Sequence, residues 1–148
     1  MARTDFNTPR LYVPDSIADG IVLSLSPERT NYLINVLRLR LDARVLLFNG
    51  RDGEFAARLA ERGRKGATLS VGARTRPQET PPDVDYLFAP LKHARLDYMA
   101  QKAVEMGARR LRPVLTRRTQ VERVNLERLR ANAIEACEQC GEIGRAHV

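Results

Sequence analysis

Short apolar runs broken by turn residues fill the first half of this chain, and their period is two. Arg10–Val13 and Ile21–Leu25 are β-prone runs separated by Pro14, Asp15 and Gly20. Ser26-Pro27-Glu28 opens a helix with a hydroxyl cap, a proline in the first turn and a carboxylate beside it. That helix is predicted to run to Leu37, with Leu33, Val36 and Leu37 on its core face. Ala43–Phe48 reads as a strand, and Asn49-Gly50-Arg51-Asp52-Gly53 as a hairpin turn, because Asn and Gly tolerate positive φ. In Glu54–Ala60 the residues Phe55, Ala57 and Leu59 alternate with smaller or charged ones. Gly63-Arg64-Lys65-Gly66 is a second, basic turn, and Ala67–Ala73 the last strand of the set. Short strands around one helix are expected to close into a small barrel, which hides their edges.

The pattern then changes. Arg74–Asp83 is rich in Pro, Thr and charge without periodicity, and reads as a linker stiffened by Pro77, Pro81 and Pro82. Val84–Ala89 is apolar apart from Asp85, as expected of a buried parallel strand. His93–Met106 has helical spacing, with Leu96, Met99, Ala100 and Ala103 on one stripe and Gly107 as its stop. Leu111–Leu115 is a strand, and Thr116–Val124 an Arg-rich loop. Asn125 caps a second helix that carries Leu126, Leu129, Ala133, Ala136, Cys137 and Cys140 on one face. Strand, helix and strand of these lengths imply a right-handed parallel crossover. The fold class is therefore two-domain α/β: residues 1–74 as a small β-barrel, 75–83 as linker, and a parallel α/β domain from 84.

Composition adds the sign of the partner. The chain of 148 residues carries a net charge of +7, from 22 Arg and 3 Lys against 18 acidic residues. Residues 1–74 hold 12 basic and 8 acidic groups, residues 75–148 hold 13 and 10, so the charge is not a tail. An anionic partner is implied, nucleic acid first, and guanidinium forks suit phosphate. No run of about 18 apolar residues and no leader-like apolar segment is present, so a cytoplasmic protein without membrane contact is expected.

Several chemistries are disfavoured by what is missing. There is no G-x-G-x-x-G and no Walker phosphate loop. His93 and His147 are isolated, so no Ser/His/Asp or Cys/His set assembles. Cys137 and Cys140 form one CxxC near a helix end; zinc needs further ligands, so small buried helix residues are the expected role and no metal is assigned. The polar candidates lie in the second half. Lys92 follows the first strand end, where open α/β sheets place ligands. Arg95, Tyr98, Lys102 and Glu105 share a helical stripe, which by pattern alone is more often a solvated face with a weak ion pair. Arg117 and Arg118 follow the next strand, and Glu138 and Gln139 end the second helix.

The segments APLK…RLDYMAQKAVEMGARRLRPVLTRRTQ and ANAIEACEQCG resemble the RsmE family of 16S rRNA uracil-N3 methyltransferases. So do PRLYV, NVLRLR and LFNGRDGEFAARL, in the same order, and the likeness spans residues 9–141. Its most specific parts are Gln101–Gly107 and Glu135–Gly141. The resemblance implies a PUA-like RNA-binding barrel followed by a SPOUT-type domain with a trefoil knot. That domain binds S-adenosylmethionine and forms a homodimer, and the substrate is the RNA of the small ribosomal subunit. By motif position it implies RNA contacts at Arg10, Arg38, Lys92 and Arg118, and a substrate or cofactor pocket edge at Lys102, Glu105, Glu138 and Gln139. Arg64 and Lys65 join the RNA-binding set from the charge of their turn. No catalytic residue is assigned.

The sequence departs from the family in three places. Tyr32 stands where the family often has His, and Arg40 and Asp42 where it usually has Gly. After Gly141 the resemblance implies a glycine-rich GPEGG-type cofactor loop and an LRxETA knot segment, and neither is in this sequence. Residues 142–148, EIGRAHV, are what GAG ATC GGA AGA GCA CAC GTC encodes, which matches a common sequencing adapter, so this tail is expected to be adapter-derived. On this reading residues 84–141 are the first half of a SPOUT domain, truncated and without its knot, and the chain as written is expected not to bind S-adenosylmethionine or transfer a methyl group. The alternative is a non-enzymatic PUA-like RNA-binding module using Arg10, Arg38, Arg64 and Lys65. A redox or metal protein built on Cys137 and Cys140 is the third reading.

Overall fold

The computed structural model describes residues 5, 7–63, 66–119, 121 and 123–144. The chain divides into two compact units, Met1–Gln78 and Glu79–Val148.

The first unit is a five-stranded mixed sheet with the order β1-β3-β4-β5-β2. Its strands are β1 (Arg10–Tyr12), β2 (Val22–Ser24), β3 (Arg44–Phe48), β4 (Glu54–Gly63) and β5 (Gly66–Arg76). β1 runs parallel to β3, with Leu11 opposite Leu47, and the other pairs are antiparallel. Leu11, Leu33, Val45, Leu47, Leu59 and Leu69 lie in one buried cluster to which both outer strands contribute neighbours. The sheet therefore wraps a single core, but among the described residues no ladder joins β1 to β2. The expected closed barrel is corrected to an open sheet whose edges are limited by three-residue outer strands, too short to offer a long template.

The Asn49–Gly53 turn is built by Asn49. Its Oδ1 accepts from the backbone N–H of Arg51 and of Asp52, both at 2.9 Å. Gly53 sits at φ 98°, and a Cβ there would stand 2.4 Å from the carbonyl oxygen of Arg76, so this position requires glycine. β5 continues to Arg76 rather than stopping at Ala73, because a bulged register lets Phe55 and Glu54 pair with Arg74 and Arg76. Residues 74–76 are thus strand, not linker.

Ser26 caps α1 (Pro27–Asn31), its Oγ accepting from Arg29 N at 3.4 Å. The helix then widens into a π-helical turn over Tyr32–Val36. The widening turns Leu33 and Ile34 inward and leaves Val36 exposed, which corrects the core face expected from a 3.6-residue period. Arg38 and Asp42 follow at φ 54° and 65°.

The second unit holds parallel strands β6 (Asp85–Phe88) and β7 (Arg110–Pro113), with α2 (His93–Glu105) between them and α3 (Leu126–Cys140) after them. Asn125 caps α3 through a 3.0 Å bond from Arg128 N, and Gly141 ends it in the left-handed region. Ala100, Ala103, Val104, Leu129, Ala133, Ala136 and Cys137 are buried, whereas Leu126 is exposed at the first turn of α3. β6 was expected to be buried on both faces. Instead Leu87 is 60% exposed and Tyr86 also faces solvent, because β6 has one strand neighbour among the described residues. Ile143 is buried and Gly144 lies against the Pro81 ring. Cys137 Sγ lies 3.8 Å from the Gly144 carbonyl oxygen, and Cys137 and Cys140 are not joined in a disulfide.

Candidate nucleic-acid interface

Strand and helix directions divide the second unit into two ends of opposite electrostatic character. α2 and α3 run side by side in the same direction: Asp97 accepts from Arg128 Nε at 3.0 Å and Asn132 Nδ2 at 2.7 Å, and, further along both helices, Gln101 Nε2 donates to Gln139 Oε1 at 3.3 Å. The N-termini of both helices thus lie together, beyond the C-terminal ends of β6 and β7.

At the opposite end the charges are matched. Arg109 and Arg110 each reach Asp83 at 3.1 Å, and Arg112 reaches Asp85 at 3.0 Å, with Arg110 Nε on the same carboxylate. The bond from Arg110, with a further one from Arg112, holds the Asp85 carboxyl below its usual range. Lys102 and Glu105 pair at 2.7 Å, and Lys102 Nζ stands 5.6 Å from the Tyr98 ring centre.

At the helix N-termini the balance differs. Lys92, Arg95 and Arg118, with the Thr116 and Thr119 hydroxyls, line a cleft of about 620 Å³ whose other wall is Ala89, Pro90 and Leu91. These cations make no ion pair among the described residues. Lys92 is the N-cap of α2 and makes no side-chain capping bond, which leaves the first N–H groups of that helix uncapped by a side chain. The arrangement suits an anion held by point charges and hydroxyl donors.

The structure sorts the sequence candidates. It brings Lys92 and Arg118 together and adds Arg95, which the polar stripe of α2 had already marked. It places Lys102 and Glu105 about 15–20 Å further along α2, at a rise of 1.5 Å per residue, and Glu138 and Gln139 near the end of α3. None of these four lines the cleft. Arg38 is exposed on the first unit. Arg64 and Lys65 fall outside the described residues.

Arg10 is a correction. It is 5% exposed, its guanidinium is ion-paired with Glu54 and lies 5.1 Å from the Phe48 ring centre. Glu54 also receives Arg76 at 3.8 Å and the Thr75 hydroxyl at 2.8 Å. A cation in this pocket holds β1 to β4 and β5 and is not available to a surface ligand. Arg123, which sequence reasoning passed over, is exposed near the start of α3; its only signal was its place in the basic loop.

S-adenosylmethionine carries a sulfonium. The cleft presents three cations to any occupant, so the residues gathered there do not fit that cofactor, whereas they fit a phosphate. Among the described residues no three His, Cys, Asp or Glu side chains gather to hold a metal. No described helix is long and apolar enough to cross a membrane.

A small mixed sheet followed by a unit opening with a parallel strand–helix–strand matches two known families in tandem. Residues 25–72 match the RNA methyltransferase PUA domain and residues 78–147 the RNA methyltransferase domain. The first unit is therefore PUA-like, and the second is similar to an RNA methyltransferase domain. Ribosomal RNA small subunit methyltransferase E from Rickettsia conorii is 30% identical over 131 residues, which cover 88% of this chain and 54% of that protein. The enzyme of the same name from Neisseria gonorrhoeae, solved with bound S-adenosylmethionine, superposes with a TM-score of 0.83 at 28% identity, covering 96% of this chain and 60% of that one. A Legionella pneumophila protein, also solved with S-adenosylmethionine, gives 0.83 at 28%, covering 95% and 61%. Across both units the chain is similar to the RsmE family. It spans about half the length of the curated relatives it matches.

Proposed function

We propose that the protein acts in S-adenosylmethionine-dependent methylation of uridine N3 in 16S rRNA of the small ribosomal subunit. The observation that carries the reading is the tandem match to a PUA-type and a methyltransferase domain in RsmE order. The unmatched cations at the helix N-termini support an RNA partner, and the cofactor bound to two solved relatives supports the methyl donor. Lys92, Arg118 and Arg38 are the RNA-contacting side chains of this reading. The place of Lys102, Glu105, Glu138 and Gln139 at the edge of the cofactor pocket is supported by the motif match alone.

The cationic cleft does not fit the cofactor, and the glycine-rich loop and LRxETA segment have no match in this sequence. We place them in the further length of the relatives, so that residues 84–141 form the leading half of a SPOUT-type domain without its knot. Homodimerisation is proposed for the protein at that full length. Titration calorimetry with S-adenosylmethionine tests the cofactor reading: the 148-residue chain gives no micromolar binding, and such binding would overturn it. For the RNA reading, the chain is expected to bind unmodified 16S rRNA with strong salt dependence. No retention at 50 mM salt would count against both the enzyme and the RNA-binding-module readings.

A further inference from the structure

The cleft of about 620 Å³ does not stand alone. A second, more enclosed cleft of about 120 Å³ adjoins it, and the two share Leu91 and Lys92. The smaller one lies between the start of α2 and the start of α3, with Leu96 and Leu129 on its apolar side and Arg123 and Arg128 among its polar groups. One carboxylate, Asp97, lines it. Arg128 grips that carboxylate with both Nε and Nη2, and Asn132 donates to it as well, which holds its proton affinity low and leaves it with little charge to present. Lys92, Arg95, Arg118 and Arg123 make no ion pair among the described residues. Two helix N-termini add positive potential from behind.

We propose that the two clefts hold successive phosphates of one single-stranded RNA segment, with Lys92 between them. The proposal rests on the RNA-binding reading above and deepens it. Size assigns the roles. The larger cleft falls within the range of about 300–1,000 Å³ typical of small-molecule sites and takes a whole nucleotide. Its phosphate lies on Arg95, Arg118 and the threonine hydroxyls, and its sugar and base on Ala89, Pro90 and Leu91. The smaller cleft is below that range and takes a phosphate group alone, on Arg123 and Lys92. A concave site with one apolar wall suits a splayed single strand; the phosphates of a duplex stand on a convex ridge.

The test uses the 148-residue chain with 5′-phosphorylated uridine dinucleotide, uridine 5′-monophosphate, uridine and a uridine decamer, titrated between 50 and 200 mM salt. Two phosphates on a single strand give a slope of log K against log salt of about −1.4, at about −0.7 for each. The dinucleotide is expected to bind more tightly than the monophosphate, and uridine not measurably. Arg118→Gln and Arg123→Gln should each flatten the dinucleotide slope by about 0.7, and Arg118→Lys and Arg123→Lys should restore it. Arg109→Gln, at the charge-matched end of the same unit, should leave it unchanged. Both arginines are exposed, and unchanged far-ultraviolet circular dichroism separates lost contacts from lost fold. Equal affinity for dinucleotide and monophosphate, or a slope indifferent to Arg123→Gln, would overturn the two-phosphate arrangement while decamer binding kept the RNA reading standing. A duplex bound as tightly as the decamer would overturn the single-strand assignment. No decamer binding at 50 mM would sink both readings.

Discussion

Arg10→Met is expected to cost about 3 kcal/mol in urea unfolding, because it leaves the nearly dry Glu54 carboxylate with only the more distant Arg76 and the Thr75 hydroxyl among the partners described. The double change Arg10→Met with Glu54→Leu should recover much of that loss. A variant as stable as the parent would refute the structural role. In sequence Arg10 looks like a surface cation on a short strand. Its partner is 44 residues away, and β1 is buried at all three positions, so no local alternation marks the inward side chain. Asp52 is the opposite case, legible as a turn residue from the NGRDG motif. The Ile17 N–H, at 2.9 Å, and the Asn49 amide hold its carboxyl below the usual range. A depressed carboxylate stabilises the fold above its unfolded value, near 3.9, and loses that contribution as pH falls through the folded value. Asp52→Ala should therefore be about 1 kcal/mol less stable at pH 7, with the difference shrinking as pH falls below the unfolded value near 3.9. A gap independent of pH across that range would contradict this account.

At the level of elements, the period of the apolar pattern located nearly every strand and helix, since each buries one face. What it missed were changes of geometry within an element. The π-helical turn at Tyr32–Val36 rotates the buried side by part of a turn, and a fixed 3.6-residue period cannot anticipate that. β6 misled differently: an apolar run signals neighbours on both faces but does not say which residues supply them. The buried alanines of α2 and α3 set a close packing distance. Ala136 has no exposed surface, so a larger side chain there must displace packed neighbours. Ala136→Leu should destabilise the second unit by about 1–3 kcal/mol through overpacking, read by chemical denaturation. Ala136→Gly should cost about 1 kcal/mol through helix propensity alone. Equal losses in the two variants would argue against tight packing there.

For the whole molecule, the core of the first unit is self-contained. Each residue of its buried cluster lies between Leu11 and Val71. Residues 1–78 expressed alone should unfold cooperatively in urea, with the circular dichroism of the sheet retained in water. A gradual, non-cooperative transition would show that the unit depends on the rest of the chain. The site was legible in part. Basic composition and the position after a strand end pointed to Lys92 and Arg118, while the pairing that silences Arg109, Arg110 and Arg112 involves Asp83 and Asp85, more than twenty residues earlier in the chain. That uneven pairing has a consequence for kinetics. With its cations neutralised at one end and bare at the other, the second unit carries a permanent electric dipole. A polyanion approaching from any direction exerts a torque that turns the bare end toward it before contact. Fewer collisions are then wasted on the wrong face, and association speeds up most at low ionic strength.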